Sequence, residues 1–168
     1  SIPLLFLLFL LVNAGKMYVR VRGRASCQST DEKGVVSAAK VDKIKVELWE
    51  RDNGENAFVD ADDLIDSQIV EKTEKEKDRG IFTLEGGDDE PWNEQEFYVK
   101  IYFPCVVNSK CNFVKYKKYC EKNPGGYYMA KKYDIPEKFR FVHAKVTFPI
   151  DYRMGYAHHE IDSNIPYL

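Results

Sequence analysis

The chain has no strong excess of charge, no apolar run of membrane-spanning length and too little length for two ordinary domains. Lys and Arg number 25 and Asp and Glu number 27 among 168 residues. This balance excludes a generally basic nucleic-acid binder, and the length fits a single domain. No apolar stretch reaches the ~20 residues of a membrane-spanning helix. With 44% hydrophobic and 31% charged residues, the chain can bury a core and is not disordered overall.

Helical spacing of apolar residues is scarce, whereas two-residue alternation recurs. Met17–Arg24 places its arginines on one side of a strand and Val19 and Val21 on the other. Aromatic residues reach 14% and favour strands. The predicted strands are Met17–Arg24, Lys43–Trp49, Leu64–Val70, Gly80–Leu84, Phe97–Phe103, Tyr127–Tyr133 and Phe139–Phe148. About seven short strands separated by turns predict an all-β, two-sheet sandwich.

The first residues are typical of a secretory signal. Ile2–Val12 is an almost unbroken apolar run, too short to cross a bilayer, and Val12 and Ala14 fit the small-residue pattern of cleavage after Ala14. We therefore expect three regions, namely a signal segment (1–14), a sandwich domain (15–150) and a C-terminal tail (151–168). The expected localisation is secreted and extracellular.

Secretion bears on the cysteines, because two disulfides are the default for an even set in an oxidising compartment. The four are Cys27, Cys105, Cys111 and Cys120. A zinc site is disfavoured, since no CxxC pair occurs and the histidines lie well downstream. Three connectivities are open. The short loop between Cys111 and Cys120 makes that pair, with Cys27 bonded to Cys105, the preferred one.

Six segments follow one another in a specific order within Val19 to Phe148. They are VRVRGRASC, KIKVELWERDNG, DADDLIDSQIVEKT, GIFTLEGGDDE, FYVKIYFPC and IPEKF. As an ordered series they resemble the nematode transthyretin-like family. The family usually has His and Asp before the cysteine that closes its KIY strand, whereas this chain has Phe103 and Pro104, so it resembles a divergent member. The resemblance implies a small secreted protein with a transthyretin-like (prealbumin-like) sandwich of about seven strands, stapled by disulfides.

The same resemblance raises the question of catalysis. Transthyretin-fold hydrolases of purine metabolism use a His near the start of the first strand, an Arg and a second His in the middle, and a Tyr-Arg-Gly-Ser sequence. Here no His precedes His143, and that tetrapeptide is absent. We therefore predict no enzymatic activity, no catalytic residue and no cofactor, and such a hydrolase remains a remote alternative.

Charge is unevenly distributed along the chain. Glu47 to Glu96 holds eighteen acidic and five basic residues, whereas Val107 to Tyr133 holds seven lysines and one acid. The lysines of this basic stretch alternate with tyrosines, and such a surface suits an anionic lipid or glycan surface or an acidic protein. The alternative is a strand with tyrosines packed inward and lysines solvated. The candidate binding residues are Lys115, Tyr116, Lys117, Lys118, Tyr119, Lys131 and Lys132.

Metal binding is a weaker interpretation of two other clusters. Asp60, Asp62, Asp63 and Asp66 lack the Gly and terminal Glu spacing of an EF-hand loop, and strand-entrance capping explains them more simply. The adjacent His158 and His159 would point to opposite faces of an extended chain. We predict no metal site.

The sequence thus predicts a secreted binding or bridging protein that recognises an anionic surface or an extracellular partner protein through its Lys/Tyr-rich loop. The alternative is a carrier of a small apolar ligand in a groove or at a dimer interface. Neither nucleic acid nor a transmembrane segment is expected. The sequence leaves homodimer formation open.

Intact mass spectrometry of the secreted protein tests processing and redox state together. We expect the mass of a chain that begins at or near Gly15. This mass should be four hydrogens lower than that of the fully reduced form. Four free thiols would contradict the disulfide prediction.

Overall fold

The computed structural model describes residues 17–30, 32–39, 43–52, 58, 61–70, 80–88, 95–105, 117–140, 146–154 and 161–163. These residues form nine strands, one short helix and a 3-10 turn. The strands are β1 (Met17–Thr30), β2 (Val36–Ala39), β3 (Ile44–Arg51), β4 (Asp63–Val70), β5 (Gly80–Asp88), β6 (Glu96–Pro104), β7 (Tyr127–Asp134), β8 (Thr147–Met154) and β9 (Ile161–Ser163). The helix α1 spans Lys117–Lys122, and the 3-10 turn spans Glu137–Phe139.

The strands form two sheets, which confirms the all-β sandwich. One sheet has the order β2-β1-β8-β9, with β5 also paired to β1, and the other has the order β4-β3-β6-β7. β1 runs parallel to β8 and antiparallel to β2 and β5. In the four-stranded sheet every pairing is antiparallel.

The core lies between the inner faces of the two sheets, and alternation decides which residues reach it. Val19, Val21 and Ala25 of β1 are buried there together with Ile44, Val46 and Leu48 of β3, and with Phe97, Val99, Ile101 and Phe103 of β6. Burial of each large side chain contributes about 1.5–3 kcal/mol. The intervening residues of the same strands face outward, as the alternation predicts.

Gly23 interrupts the inward row of β1 because the sandwich is tightly packed at that position. A Cβ added there would lie 2.6 Å from Phe82 Cζ and 2.9 Å from Ile150 Cβ. Gly23 pairs with Phe82 of β5 and Ile150 of β8, so both side chains close over its bare backbone. The glycine between Arg22 and Arg24 is therefore explained by packing.

The edge of β5 is covered by side chains of β4 from the opposite sheet. The Glu85 backbone N–H donates to Asp66 Oδ2 at 2.9 Å, and the Thr83 backbone N–H donates to Gln68 Oε1 at 3.1 Å. These contacts satisfy strand-edge donors that another chain could otherwise pair with.

The preferred disulfide pairing is wrong. The structure joins Cys105 to Cys120, with their Cα atoms 5.2 Å apart. Cys105 follows the last residue of β6, its N–H donates to the Gly126 carbonyl at 2.8 Å, and α1 brings Cys120 beside it. Closure of a loop of about 15 residues stabilises a fold by roughly 3 kcal/mol. Cys27 is also disulfide-bonded, while Cys111 lies outside the described residues.

The seventh predicted strand, Phe139–Phe148, is misplaced. Phe139 closes the 3-10 turn, and β8 begins only at Thr147. The Phe139 ring packs edge-to-face on the Phe148 ring, with the two centroids 5.0 Å apart. Phe139 is therefore fixed by this tertiary contact and not by strand pairing. Residues 151–154 and 161–163, from the expected tail, lie in β8 and β9. Within the described ranges no helix has the length and apolar character to span a membrane.

Replacing Gly23 with Ala tests the close packing on β1. We expect a loss of about 1–3 kcal/mol in the free energy of unfolding, because the added methyl group overpacks the core. Phe82→Leu alone should also destabilise by leaving a cavity. Urea unfolding should show that the double variant loses less than the two single losses together. Strict additivity would contradict the proposed contact.

Candidate functional site

The described members of the predicted Lys/Tyr set lie on two different elements, α1 and β7. Lys115 and Tyr116 lie outside the described residues, and of Lys117 only the backbone, at the start of α1, is described. Lys118 and Tyr119 are exposed on α1, and the Tyr119 hydroxyl donates to the Tyr127 carbonyl at 3.2 Å.

Lys131 and Lys132 are neighbours on β7 and have different surroundings. The Lys132 Nζ lies 4.2 Å from the centroid of the Tyr98 ring, whereas the Lys131 Nζ lies 5.6 Å from that of Tyr133. Lys132 is exposed and is directly opposite Lys100 in the register. It therefore belongs to the outer face of the four-stranded sheet, which is the better candidate site.

That outer face alternates cations with aromatic rings, and we call it the cation–aromatic face. Its members come from three neighbouring strands, and three pairs of them lie directly opposite each other: Lys45 with Tyr102, Trp49 with Tyr98, and Lys100 with Lys132. The members are Lys45, Trp49 and Arg51 of β3, Tyr98, Lys100 and Tyr102 of β6, and Tyr127 and Lys132 of β7.

Tyr98 lies at the centre of this face and is completely buried there. Its ring stacks on Trp49 with centroids 6.3 Å apart, and the Arg51 guanidinium lies 5.1 Å from it. The Tyr98 hydroxyl donates to Asp62 Oδ2 at 2.7 Å. Burial and this bond to a carboxylate raise the pKa of Tyr98, so the phenol stays neutral and fixed at physiological pH.

The arginine beside Tyr98 ties three strands together at one end of the face. The Arg51 Nη1 bonds Glu96 at 3.2 Å, and its Nη2 bonds Asp134 at 2.6 Å. Two carboxylates face this single guanidinium, so this end of the face carries no surplus of positive charge. The lysines therefore carry the positive charge of the face.

Glu47 organises the other half of the cation–aromatic face. Its carboxylate bonds Lys45 Nζ at 3.1 Å and accepts the Trp49 Nε1–H at 2.9 Å. Lys45 Nζ in turn lies 4.4 Å from the centroid of the Tyr102 ring and 5.4 Å from that of Tyr127. Burial, followed by the charge of Glu47, raises the pKa of Tyr102 to about 12.

Lys100 is the member of the face whose charge is least favourable for the stability of the fold. It is only 5% exposed, its Nζ lies 5.0 Å from the Trp49 ring, and it is directly opposite Lys132. Burial lowers the pKa of Lys100, and the charges of Lys132 and Lys45 lower it further, against the opposing effect of Glu47. Like charges opposite each other on a sheet cost stability. Residues that lower stability in this way are common at functional sites.

Exposed apolar side chains border these cations. Leu64 is opposite Trp49, Ile69 is opposite Lys45 and Met129 is opposite Tyr102, so all three share the outer face. Each is between 45% and 49% exposed. The face therefore offers positive charge, ring surfaces and aliphatic contacts side by side.

The acidic cluster has structural roles in the part of the chain that the structure describes. Asp62 accepts from Tyr98 and from the Asp52 N–H at 2.8 Å, and Asp66 covers the β5 edge. Carboxylate oxygens of Glu50, Asp52 and Asp63 lie within 4.8 Å of one another. Three such groups fall short of the six to eight oxygens that calcium takes. The predictions for Asp60, His143, His158 and His159 lie outside the described residues.

The sequence interpretation missed Lys45, Trp49, Tyr98 and Lys100, although a signal was present. The alternation of KIKVELW places Lys45 and Trp49 opposite the core residues, and that of FYVKIYF does the same for Tyr98 and Lys100. The missing information was that β3 and β6 are neighbours, although they are separated by two strands in the sequence.

Comparing the pH dependence of stability between the parent and Lys100→Met tests the buried charge. The pKa of Lys100 is lowered in the folded protein, so the unfolded chain binds more protons up to about pH 10.5. The free energy of unfolding of the parent should therefore rise relative to that of the variant as the pH increases from about 7 to about 10. Urea unfolding at both pH values measures this difference. Lys118→Met, on exposed α1, controls for the loss of one lysine, and a flat or falling difference would contradict the expectation.

Similarity to other proteins gives no independent guide to this face. Comparisons of the chain with protein-family models, curated proteins and solved structures found no match. The chemistry of the chain's own surfaces is therefore what bears on its function.

Proposed function

We propose that the chain is a secreted, non-catalytic binding protein of the transthyretin-like family that recognises an anionic surface through the cation–aromatic face. The family assignment is supported by the ordered series of segments within Val19 to Phe148 and by the two-sheet sandwich. The apolar N-terminal segment and the Cys105–Cys120 disulfide support secretion.

The observation that carries the binding proposal is the arrangement of Lys45, Lys100 and Lys132 over aromatic rings on three neighbouring strands. The rings hold each ammonium group by cation–π contact, so little side-chain freedom is lost when an anion binds. Glu47 lies among these lysines and Asp62 is bonded to Tyr98 beside them, so the lysines outnumber the carboxylates there by one. The surplus of positive charge is local to the three lysines, because Glu96 and Asp134 outnumber Arg51 at the end of the face.

Among anionic partners, a lipid surface fits the neighbouring side chains best. Leu64, Ile69 and Met129 project beside the lysines, and Trp and Tyr rings suit the boundary between headgroups and acyl chains. Each lysine near a negatively charged membrane contributes about 1 kcal/mol. An acidic protein would use the charges and leave the apolar side chains without a counterpart.

Vesicle binding by a double variant tests this proposal. Lys45→Gln with Lys132→Gln removes one half-buried and one exposed charge and should weaken binding to phosphatidylserine-containing vesicles by roughly 30-fold, at about 1 kcal/mol for each lysine. Binding of the parent should fall as salt rises and should be absent with neutral phosphatidylcholine vesicles. Co-sedimentation measures all three, and circular dichroism confirms folding.

The matched control is Lys118→Gln with Lys122→Gln, which removes two exposed charges from α1. Binding of this variant should be close to that of the parent. If the α1 variant loses binding while the sheet variant keeps it, the cation–aromatic face is not the recognition surface. Salt-insensitive uptake of an apolar ligand by the parent, without vesicle binding, would instead favour a carrier.

A further inference from the structure

The opposite sheet presents a second cationic feature, formed by Arg20, Arg22 and Arg24 of β1, which we call the arginine row. The residues that alternate with them, Val19, Val21 and Ala25 among them, are buried in the core. The three arginines therefore lie on the outer face of the five-stranded sheet, at intervals of about 6.8 Å. β1 has β5 on one side of this region and β8 on the other, so the row runs along an inner strand.

Acidic partners stand at the two ends of the row and not at its centre. Arg20 is opposite Glu85, and Arg24 is opposite Asp151. The corresponding neighbours of Arg22 are Thr83 and Pro149, which carry no charge. Arg22 is exposed, and the ion pairs found among the described residues do not include it.

The ion pairs at the two ends differ in burial. Arg20 Nε lies 3.8 Å from Glu85 with both side chains more than a third exposed, whereas Arg24 Nε lies 3.9 Å from Asp151, whose side chain is only 2% exposed. Both separations exceed hydrogen-bond length, and pairs as exposed as the first are worth little. Asp151 is also held by Arg153 at 3.0 Å, so the described part of this face has four guanidinium groups and two carboxylates.

We infer that the arginine row is a binding site for a linear sulfated glycan. A guanidinium presents two parallel N–H donors that match the oxygens of a sulfate or carboxylate. A row of them at regular intervals matches a chain that carries such groups repeatedly, whereas a single small anion would engage one. Tyr18, 36% exposed, continues the row beyond Arg20 and offers a ring against which a sugar can stack.

The site is independent of the cation–aromatic face because the two lie on opposite sides of the sandwich. A lipid surface held by one face leaves the other pointing away from it. The arginine row also has arginines where the other face has lysines, and arginine is the residue that binds planar anions bidentately. The two faces therefore differ in the geometry of anion that they select.

Titration with a short sulfated heparin oligosaccharide tests the inference. Arg22→Gln is expected to raise the Kd roughly tenfold, because one bidentate, charge-assisted contact is lost. Arg22→Lys keeps the positive charge and loses the pair of parallel N–H donors. Its Kd should therefore lie between those of the parent and Arg22→Gln. Lys118→Gln, which removes one exposed charge from α1, should bind like the parent. The fully desulfated oligosaccharide should not bind.

Several results would overturn the inference. Equal Kd values for the parent and Arg22→Gln would exclude the row, and equal losses in Arg22→Gln and Lys118→Gln would indicate unspecific attraction to net charge. A loss of phosphatidylserine vesicle binding in Arg22→Gln, with unchanged oligosaccharide binding, would assign the row to a lipid surface. The Lys45→Gln, Lys132→Gln variant should keep its oligosaccharide affinity, so failure of either proposal can be told from failure of the other.

Discussion

The five-stranded sheet depends on one strand, because β2, β5 and β8 all hydrogen-bond to β1. This long strand can hold both neighbours close only if nothing projects inward between Phe82 and Ile150, and Gly23 meets that condition. The cost of an interior glycine, roughly 0.5–1 kcal/mol, is offset by the burial of both side chains. The outward arginines on either side of Gly23 are fixed in direction by the same packing.

Strand alternation separates the residues of the core from those of the proposed binding surfaces. The inward residues of β1, β3 and β6 build an apolar core, and the outward residues of the same strands carry the cations. The two requirements compete at Lys100, which is almost buried between Lys132 and Glu47. Burial lowers its pKa despite the charge of Glu47, so the proposed anion, bound beside this ammonium group, would also stabilise the fold.

Local pattern was sufficient for the parts of the fold that depend on one strand at a time. The inward positions of β1 and β3 follow from alternation alone, and the sandwich follows from repeated short strands. The Cys105–Cys120 bond was not predictable in this way, because it depends on how α1 folds the chain back beside the end of β6. The start of β8 was missed because Phe139 was assigned to a strand. Its apolar side chain instead packs on Phe148 from the 3-10 turn. The cation–aromatic face was missed because it joins strands that are distant in sequence.

The edge of β5, where side chains of β4 bond backbone donors, restricts how a partner can bind to the sandwich. Asp66 and Gln68 occupy backbone donors that an added strand would need, so strand addition at this edge would have to displace them. Asp66 and Gln68 thereby protect this edge, and the outer faces of the two sheets are the broad surfaces on which cations lie. These faces point in opposite directions and present different cations, ring-supported lysines on one and an arginine row on the other. If both proposals hold, one molecule binds two anionic partners at once, and a bridging role needs only this single sandwich.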